Sequence, residues 1–421
     1  MIEANNPNRK SFVDIEPNSD FPIQNLPFGA FSHKDNSRCG VALGKYVIDL
    51  NELQKAGLLE NLPEGIFNKE TLNDFVALGK ETTRNVRNRI AELFDVINQE
   101  LQKNNALLVR VLILQSEVTM LMPVKIGDYT DFYSSREHAT NVGTMFRDPN
   151  NALFPNWLHL PVGYHGRASS IITSGQEIYR PKGQQRPNPE EPPVYGPCRL
   201  LDFELEMGFI THQGKDMGDT ISIDEAEDYI FGMVVFNDWS ARDIQKWEYI
   251  PLGPFLAKNF ASCISPWIVT LDALEPYRCE SPEQVHEPLP YLKPKSNKAS
   301  FDINLEAIIK PENKTESRVS LSNFKYMYWS MAQQLAHHTV NGCNVNVGDM
   351  MASGTISGPT KDSYGSMLEL SWQGKNPVLL NDGEERKFIK DHDTVIMRAH
   401  CDNGEVRIGF GEVSTKVLPA K

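Results

Sequence analysis

What the chain lacks narrows its class first. Its cysteines, six in 421 residues, form no CxxC pair and have no His-rich segment beside them. Cys39, Cys198, Cys263, Cys279, Cys343 and Cys401 are scattered. Such scatter fits reduced, mostly buried thiols in a cytoplasmic protein better than a disulfide frame or a zinc knuckle. No stretch approaches the ~18 consecutive apolar residues of a membrane span. No basic or apolar leader segment follows Met1, so no secretory signal is expected. Positive charge is scarce: 42 Lys and Arg against 55 Asp and Glu leave a net −13. That balance argues against non-specific binding to nucleic acid, yet a local basic pocket can still take an anionic substrate.

What is present is ordinary globular material, 40% hydrophobic and 23% charged, in a chain long enough for two domains. Residues 107–122 form an apolar, β-branched run closed by Pro123, and the boundary is placed there, giving domains 1–121 and 122–421. In the first, Val41, Leu43, Tyr46, Val47 and Ile48 surround a Gly44-Lys45 turn and predict a strand pair. Val86, Ile90, Leu93, Phe94 and Ile97 keep helical spacing and predict a helix over 80–102, with Arg84, Arg87, Arg89 and Glu92 on the other face. No chemistry is assigned to this region.

The second domain is organised around residues 200–208. Leu201, Phe203, Leu205 and Met207 alternate with Asp202, Glu204 and Glu206, the pattern of a half-buried strand that ends at 208–214. Glu204 and Glu206 then share a face. Two readings stay open: a solvated face, which is the commoner one, or a carboxylate row holding a hard cation. Residues 230–237 are continuously apolar and predict a buried strand ending at Asp238, where a carboxylate is costly unless paired or metal-bound. Ser240 is the expected cap of a helix carrying Arg242, Gln245 and Tyr249. Lys258 lies in the apolar, strand-like stretch 254–260 and needs a counter-charge.

Upstream, Asp131, Tyr133, Arg136 and His138 crowd into eight positions, with Ser134 or Ser135 placed to cap a helix bearing His138. His159 and His165 sit in a turn-rich aromatic stretch and would suit metal ligation only with an added carboxylate. Residues 183–193 read as an exposed, proline-rich loop. Residues 323–340 read as a helix whose His337 and His338 are structural. Residues 348–359 read as a strand breaking into a glycine-framed turn at Thr355, and 366–372 as a further alternating strand with Glu369 facing away from Leu368 and Leu370.

Five segments carry a family likeness. They are Asp-Tyr-Thr-Asp-Phe-Tyr-Ser-Ser from Asp128, Pro-Asn-Trp-Leu-His-Leu-Pro-Val-Gly-Tyr-His-Gly-Arg from Pro155, Asp-Phe-Glu-Leu-Glu from Asp202, Phe-Asn-Asp-Trp-Ser-Ala-Arg-Asp-Ile-Gln from Phe236, and Ala-Ser-Gly-Thr-Ile-Ser-Gly from Ala352. In this order they resemble the fumarylacetoacetase family through most of the chain after residue 125. The resemblance implies a mainly β (α+β) fold: a small N-terminal SH3-like β-barrel followed by a large mixed β-sandwich-roll domain. It implies hydrolysis of the C–C bond of 4-fumarylacetoacetate, a dianionic diketo acid, to fumarate and acetoacetate at the last step of tyrosine breakdown. It also implies a homodimer and a Mg²⁺ or Ca²⁺ ion.

Carried over by position, the metal set is Asp131, Glu204, Glu206 and Asp238, with Lys258 and Ser262 nearby. All-carboxylate ligation suits a hard cation, whereas Zn²⁺ would want His or Cys. Lys⁺ cannot ligate, so Lys258 is read as balancing the carboxylates. The likeness assigns His138 and Glu369 to water activation, and Arg242, Gln245 and Lys258 to the growing oxyanion. The acetoacetate leaving group is tolerable as an enolate on the ion. Arg147 is placed to pair with a substrate carboxylate, and Tyr133, Tyr164, Gln245, Tyr249 and Thr355 to touch substrate. Glu137 stands where relatives are expected to carry an uncharged amide.

The rival readings are an acylpyruvate hydrolase or keto-acid decarboxylase of the wider superfamily, a catalytically silent scaffold, and a glycosidase using Glu204 and Glu206. The first usually lacks the 129–138 segment and the Arg-Asp-Ile-Gln helix. The second should have lost His138 or a metal carboxylate. The third usually draws its two carboxylates from separate strands.

Overall fold

The computed structural model describes residues 2–421. The first sheet is five-stranded and antiparallel. Its order is Leu112–Leu114, Tyr46–Asp49, Asn36–Leu43, Phe28–His33 and Thr119–Met120. The expected hairpin forms with Leu43 paired to Tyr46 across Gly44-Lys45, and Gly44 takes the positive φ of 54° that the tight turn needs. The predicted 80–102 helix is shorter, Gly79–Leu93. Phe94 caps it, and Ile97, expected on the apolar face, is 83% exposed. Arg87, expected on the wet face, is buried, its guanidinium bonded to Asn5 and to the carbonyls of Gln24 and Asn25. Periodicity located the helix; tertiary partners decided its end and its buried cation.

The second sheet runs Gly163–His165, Tyr129–Phe132, Met350–Ala352, Leu205–Thr211, Ile230–Asp238, Ser262–Ile264 and Ile171–Thr173. Val269–Thr270 pairs alongside Ile230–Asp238. Pairing is antiparallel except where Met350–Ala352 meets Tyr129–Phe132 and Ser262–Ile264 meets Ile171–Thr173. The apolar run of Ile230–Asp238 reflects burial on both faces. Ile230, Met233 and Val235 enter one core, while Phe231, Val234 and Phe236 enter a second shared with the N-terminal sheet. Each such side chain contributes about 1.5–3 kcal/mol relative to exposure. A Cβ at Gly232 would strike the Val269 carbonyl and stand 2.9 Å from the Thr270 Cα, so Gly232→Val would split this strand from its neighbour.

A third sheet, ordered Ser317–Asn323, Asn304–Lys310, Thr394–Asp402, Arg407–Leu418 and Ile178–Tyr179, backs the first core cluster. The fold is mostly β in the α+β class, as expected.

Several local expectations are corrected. The 200–208 segment is split: Leu201–Asp202 is a separate short strand, and Leu205–Thr211 is the sheet strand, ending inside the expected 208–214. Residues 254–260 form turns rather than a strand, and the helix expected over 323–340 is confined to Met331–Thr339. The exposed loop at 183–193 is flanked by a hairpin, Lys182–Gln185 with Val194–Pro197. Arg242–Glu248 is a helix, but its cap is Ala241, and Ser240 donates instead to the Asp238 carbonyl. Residues 366–372 are no strand. Met367–Leu370 is a single helical turn capped by Ser366, whose Oγ accepts from the Glu369 N–H at 3.3 Å. The Ser-x-x-Glu spacing of 366–369 is a helix-start pattern, and it outweighed the alternation over 366–372.

All six cysteines are free, four of them buried. Among the described residues no helix is long and apolar enough to cross a membrane.

Candidate active site and metal centre

The carboxylate row is not wet. Asp202 and Glu206 are fully buried, and Glu204 is 5% exposed, which overturns the solvated-face reading. Three segments bring four carboxylates together: Asp131 from Tyr129–Phe132, Glu204 and Glu206 from around Leu205–Thr211, and Asp238 from the end of Ile230–Asp238. One oxygen from each lies within 4.8 Å of all the others. Such burial of four anions is costly unless cations compensate.

The chain supplies two. Lys258 Nζ bonds Glu204 Oε2 and sits 2.6 Å from Asp238 Oδ2. Arg242 Nη2 donates to Glu204 Oε1 at 2.7 Å and its Nε to Asp202 Oδ2 at 2.8 Å. Burial pushes the Glu204 carboxyl up, but Lys258 and Arg242 outweigh it and hold Glu204 well below the usual range. The other three get too little compensation. Burial, then the Asp238 charge, pushes Asp131 well up; burial, then Asp131 and Glu204, does the same to Glu206; burial raises Asp238.

Asp131 Oδ1 and Glu206 Oε1 are buried without any hydrogen-bond partner. Two orphaned acceptors inside an all-oxygen set fit a hard divalent cation. Ser262 donates its hydroxyl to Asp238 Oδ1 at 2.7 Å, so it steadies a carboxylate through its side chain. The Gly354 N–H donates to Glu206 Oε2 at 3.1 Å from a backbone with φ of 77°, where a Cβ would strike the Phe132 carbonyl. His159 and His165 lie outside the set; His159 stacks on His286 at 4.8 Å. His337 and His338 bond Tyr291 and Thr130, as structural groups do.

Beside this set is a His–carboxylate pair. Ser135 caps the Arg136–Phe146 helix by accepting from the His138 N–H, and the buried imidazole turns its Nδ1 to Glu369 Oε2 at 2.7 Å. Glu369 is also held by Asn141 Nδ2 at 2.9 Å, Ser357 Oγ at 2.9 Å and Ser366 Oγ at 2.8 Å. Burial pushes its pKa up, but His138 and these donors win and keep it low and ionised. A carboxylate on Nδ1 makes that atom the donor and leaves Nε2 with a free lone pair. Asn141, one helical turn after His138, and the Ser-x-x-Glu cap were the sequence signals for these partners; Ser357 had none.

The remaining residues are placed as follows. Gln245 Oε1 accepts from Arg242 Nη1 at 3.2 Å. Tyr133 meets the His138 ring edge-on at 5.3 Å. Tyr164 donates to Asp238 Oδ2 at 3.3 Å. Thr355 is buried next to the turn of Gly354. Arg147 bonds the Ala152 carbonyl through two nitrogens and lies 4.2 Å over Phe154, so its planar edge is engaged within its own loop. Tyr249, at the end of Arg242–Glu248, is 46% exposed. Glu137 carries a buried Oε2 without a partner, and burial raises its pKa.

The chain is similar to known proteins over nearly its whole length. Residues 128–418 match the family model described as fumarylacetoacetate hydrolase C-terminal, and residues 24–123 the one described as fumarylacetoacetase N-terminal. A fumarylacetoacetase of Bos taurus is 53% identical over 415 residues, covering 97% of this chain and 99% of that protein. The Homo sapiens fumarylacetoacetase is 51% identical over the same length, with the same coverage. Among solved structures, a fumarylacetoacetate hydrolase of Exiguobacterium antarcticum superposes with a TM-score of 0.53 over 94% of this chain and 100% of that one. At 16% identity that likeness speaks for the fold alone.

Proposed function

The chain belongs to the fumarylacetoacetase family and hydrolyses the C–C bond of 4-fumarylacetoacetate, and from that premise we propose how its own residues share the reaction. The observation that carries the proposal is the His138–Glu369 pair beside a buried four-carboxylate set in which Lys258 bridges Glu204 and Asp238 and Arg242 bonds Glu204.

Glu369 holds His138 in the tautomer with Nε2 unprotonated. Nε2 takes the proton of a water that attacks the ketone carbonyl next to the fumaryl group, and the Glu369 charge stabilises the imidazolium. The carbonyl oxygen gains charge and needs donors. Of the three N–H donors on Lys258 Nζ two are spent, on Glu204 and Asp238; of the five on Arg242 three are spent, on Asp202, Glu204 and Gln245. One ammonium and two guanidinium hydrogens are thus left, with Gln245 alongside, to stabilise the oxyanion. The oxyanion then collapses to the carboxyl of fumarate, the C–C electron pair leaves with the acetoacetate fragment, and the His138 imidazolium returns its proton to that fragment, restoring the free base.

Asp131, Glu204, Glu206 and Asp238 are proposed to hold Mg²⁺ or Ca²⁺. The ion supplies Lewis-acid charge where the leaving group becomes anionic. Tyr133, Tyr164, Tyr249, Thr355 and Arg147 are proposed to line the dianionic substrate. Arg147 would have to exchange its Ala152 bond for a substrate carboxylate. Residues 1–121 are proposed as a domain without catalytic side chains and 122–421 as the catalytic one; every candidate site residue falls in the second. A cytoplasmic homodimer acting at the last step of tyrosine breakdown completes the reading.

The test is loss of the ultraviolet absorbance of fumarylacetoacetate with and without chelator. Activity should vanish with chelator and return with Mg²⁺ or Ca²⁺. Full turnover in chelator sinks the metal assignment, and faster turnover of an acylpyruvate would favour the rival hydrolase.

A further inference from the structure

Asp202 belongs to neither the metal set nor the His–Glu pair, yet it touches parts of both. It is fully buried. Its Oδ1 accepts the Met367 N–H at 2.7 Å, and its Oδ2 accepts the Leu368 N–H at 3.0 Å and Arg242 Nε at 2.8 Å. Met367 and Leu368 open the helical turn that carries Glu369. Arg242 is the cation that bonds Glu204.

The backbone builds this junction. Leu201–Asp202 pairs with Ser240–Ala241, so Asp202 lies opposite Ser240, which stands two residues before Arg242 begins its helix. The Leu205 N–H bonds the Gly365 carbonyl at 2.8 Å, and Glu204 bridges to Ser366. Segments 201–206, 240–242 and 365–369 therefore meet at one carboxylate. The first N–H groups of a helix have no partner within it, and here two of them find one in Asp202.

We propose that Asp202 is a positioning residue that locks Arg242 and the Glu369 turn into one unit, so that the oxyanion donor and the orienter of the general base keep a fixed mutual geometry. The proposal rests on the roles given above to Arg242, His138 and Glu369. A carboxylate does this and a neutral amide does not. Asp202 accepts at both oxygens from donors on opposite sides, while Asn would turn its NH₂ against either Arg242 Nε or the Met367 N–H.

The experiment is a pair of double-mutant cycles on the full-length, metal-loaded enzyme. Asp202→Asn should lower kcat about a hundredfold, with KM changed less than about threefold, the pattern of misplaced catalytic groups. Added to Arg242→Lys or to Glu369→Gln, it should slow each by less than about fivefold, because groups acting as one unit are not independent. Losses that multiply to the full hundredfold in both cycles would overturn the proposal, since a merely weakened fold acts independently of either partner. Full turnover in the Arg242→Lys or Glu369→Gln single variant would instead overturn the roles on which the proposal rests.

Amide hydrogen exchange gives a second reading that leaves Asp202 intact and decides alone if Asp202→Asn does not fold. In Arg242→Ala, the Met367 and Leu368 amides should exchange at least about tenfold faster while those of Thr394–Asp402 stay unchanged. Unchanged exchange at Met367 and Leu368 would show that Arg242 and the turn are not joined through Asp202.

Discussion

Glu369→Gln isolates the contribution of one buried charge. The carboxylate meets His138 Nδ1 at 2.7 Å and is fully buried. With charge centres about 4 Å apart and an effective dielectric of ~20, the imidazolium–carboxylate attraction is about 4 kcal/mol. The amide oxygen returns about 1 kcal/mol of that as an ordinary hydrogen bond. The remaining 3 kcal/mol or so raises the barrier enough to slow kcat about 10²-fold, at the lower end of what general-base catalysis supplies. Stopped-flow absorbance of fumarylacetoacetate at saturating substrate reads kcat directly. A loss under tenfold would refute the reasoning, because it would mean that the imidazolium needs no counter-charge.

The same variant has a stability signature. Asn141, Ser357 and Ser366 all donate to Glu369, and a glutamine NH₂ must oppose at least one of them, at a cost of about 1–3 kcal/mol in urea denaturation. The sign with pH follows from the lowered pKa of Glu369. A carboxyl whose folded value lies below its unfolded value stabilises the protein fully above the unfolded value, about 4.5, and loses that as pH falls through the folded one. Wild type should therefore lose part of its lead over Glu369→Gln on acidification below that point. A gap that widens on acidification would contradict it.

His138→Ala should abolish hydrolysis while leaving ion binding nearly unchanged, since the imidazole is not among the four proposed ligands; near-full turnover would remove the base assignment. Glu204→Ala should weaken Mg²⁺ or Ca²⁺ binding in calorimetry at least about tenfold, through loss of one ligand and release of Lys258 and Arg242 from it. An unchanged titration would take Glu204 out of the ligand set. Ion binding should also release protons, because Asp131, Glu206 and Asp238 are raised by burial and must all ionise to ligate. Affinity then falls as pH falls, and titration in buffers of different ionisation enthalpy should detect the released protons; a pH-independent affinity would show that the carboxyls were ionised already.

Local order determined what the sequence could reveal by itself. The Gly44-Lys45 hairpin, the buried Ile230–Asp238 strand and the Ser135 cap before His138 are set by neighbours within a few residues, so their patterns are legible. The motif strings themselves hold Asp131, Glu204, Glu206, Asp238 and Arg242, whereas His138, Lys258 and Glu369 lie outside them. Only tertiary structure decided whether Asp202, Glu204 and Glu206 face water or the interior, because period-2 alternation is the same for a solvated face and for a charged, buried one. It also set the locally capped 366–369 turn against Asp202, 165 residues earlier, which accepts the Met367 N–H. Arg87, Lys258 and Arg242 could be buried only because carbonyls or carboxylates far along the chain meet them. A charge's partner is a property of the folded surface around it, and no spacing within its own segment encodes that.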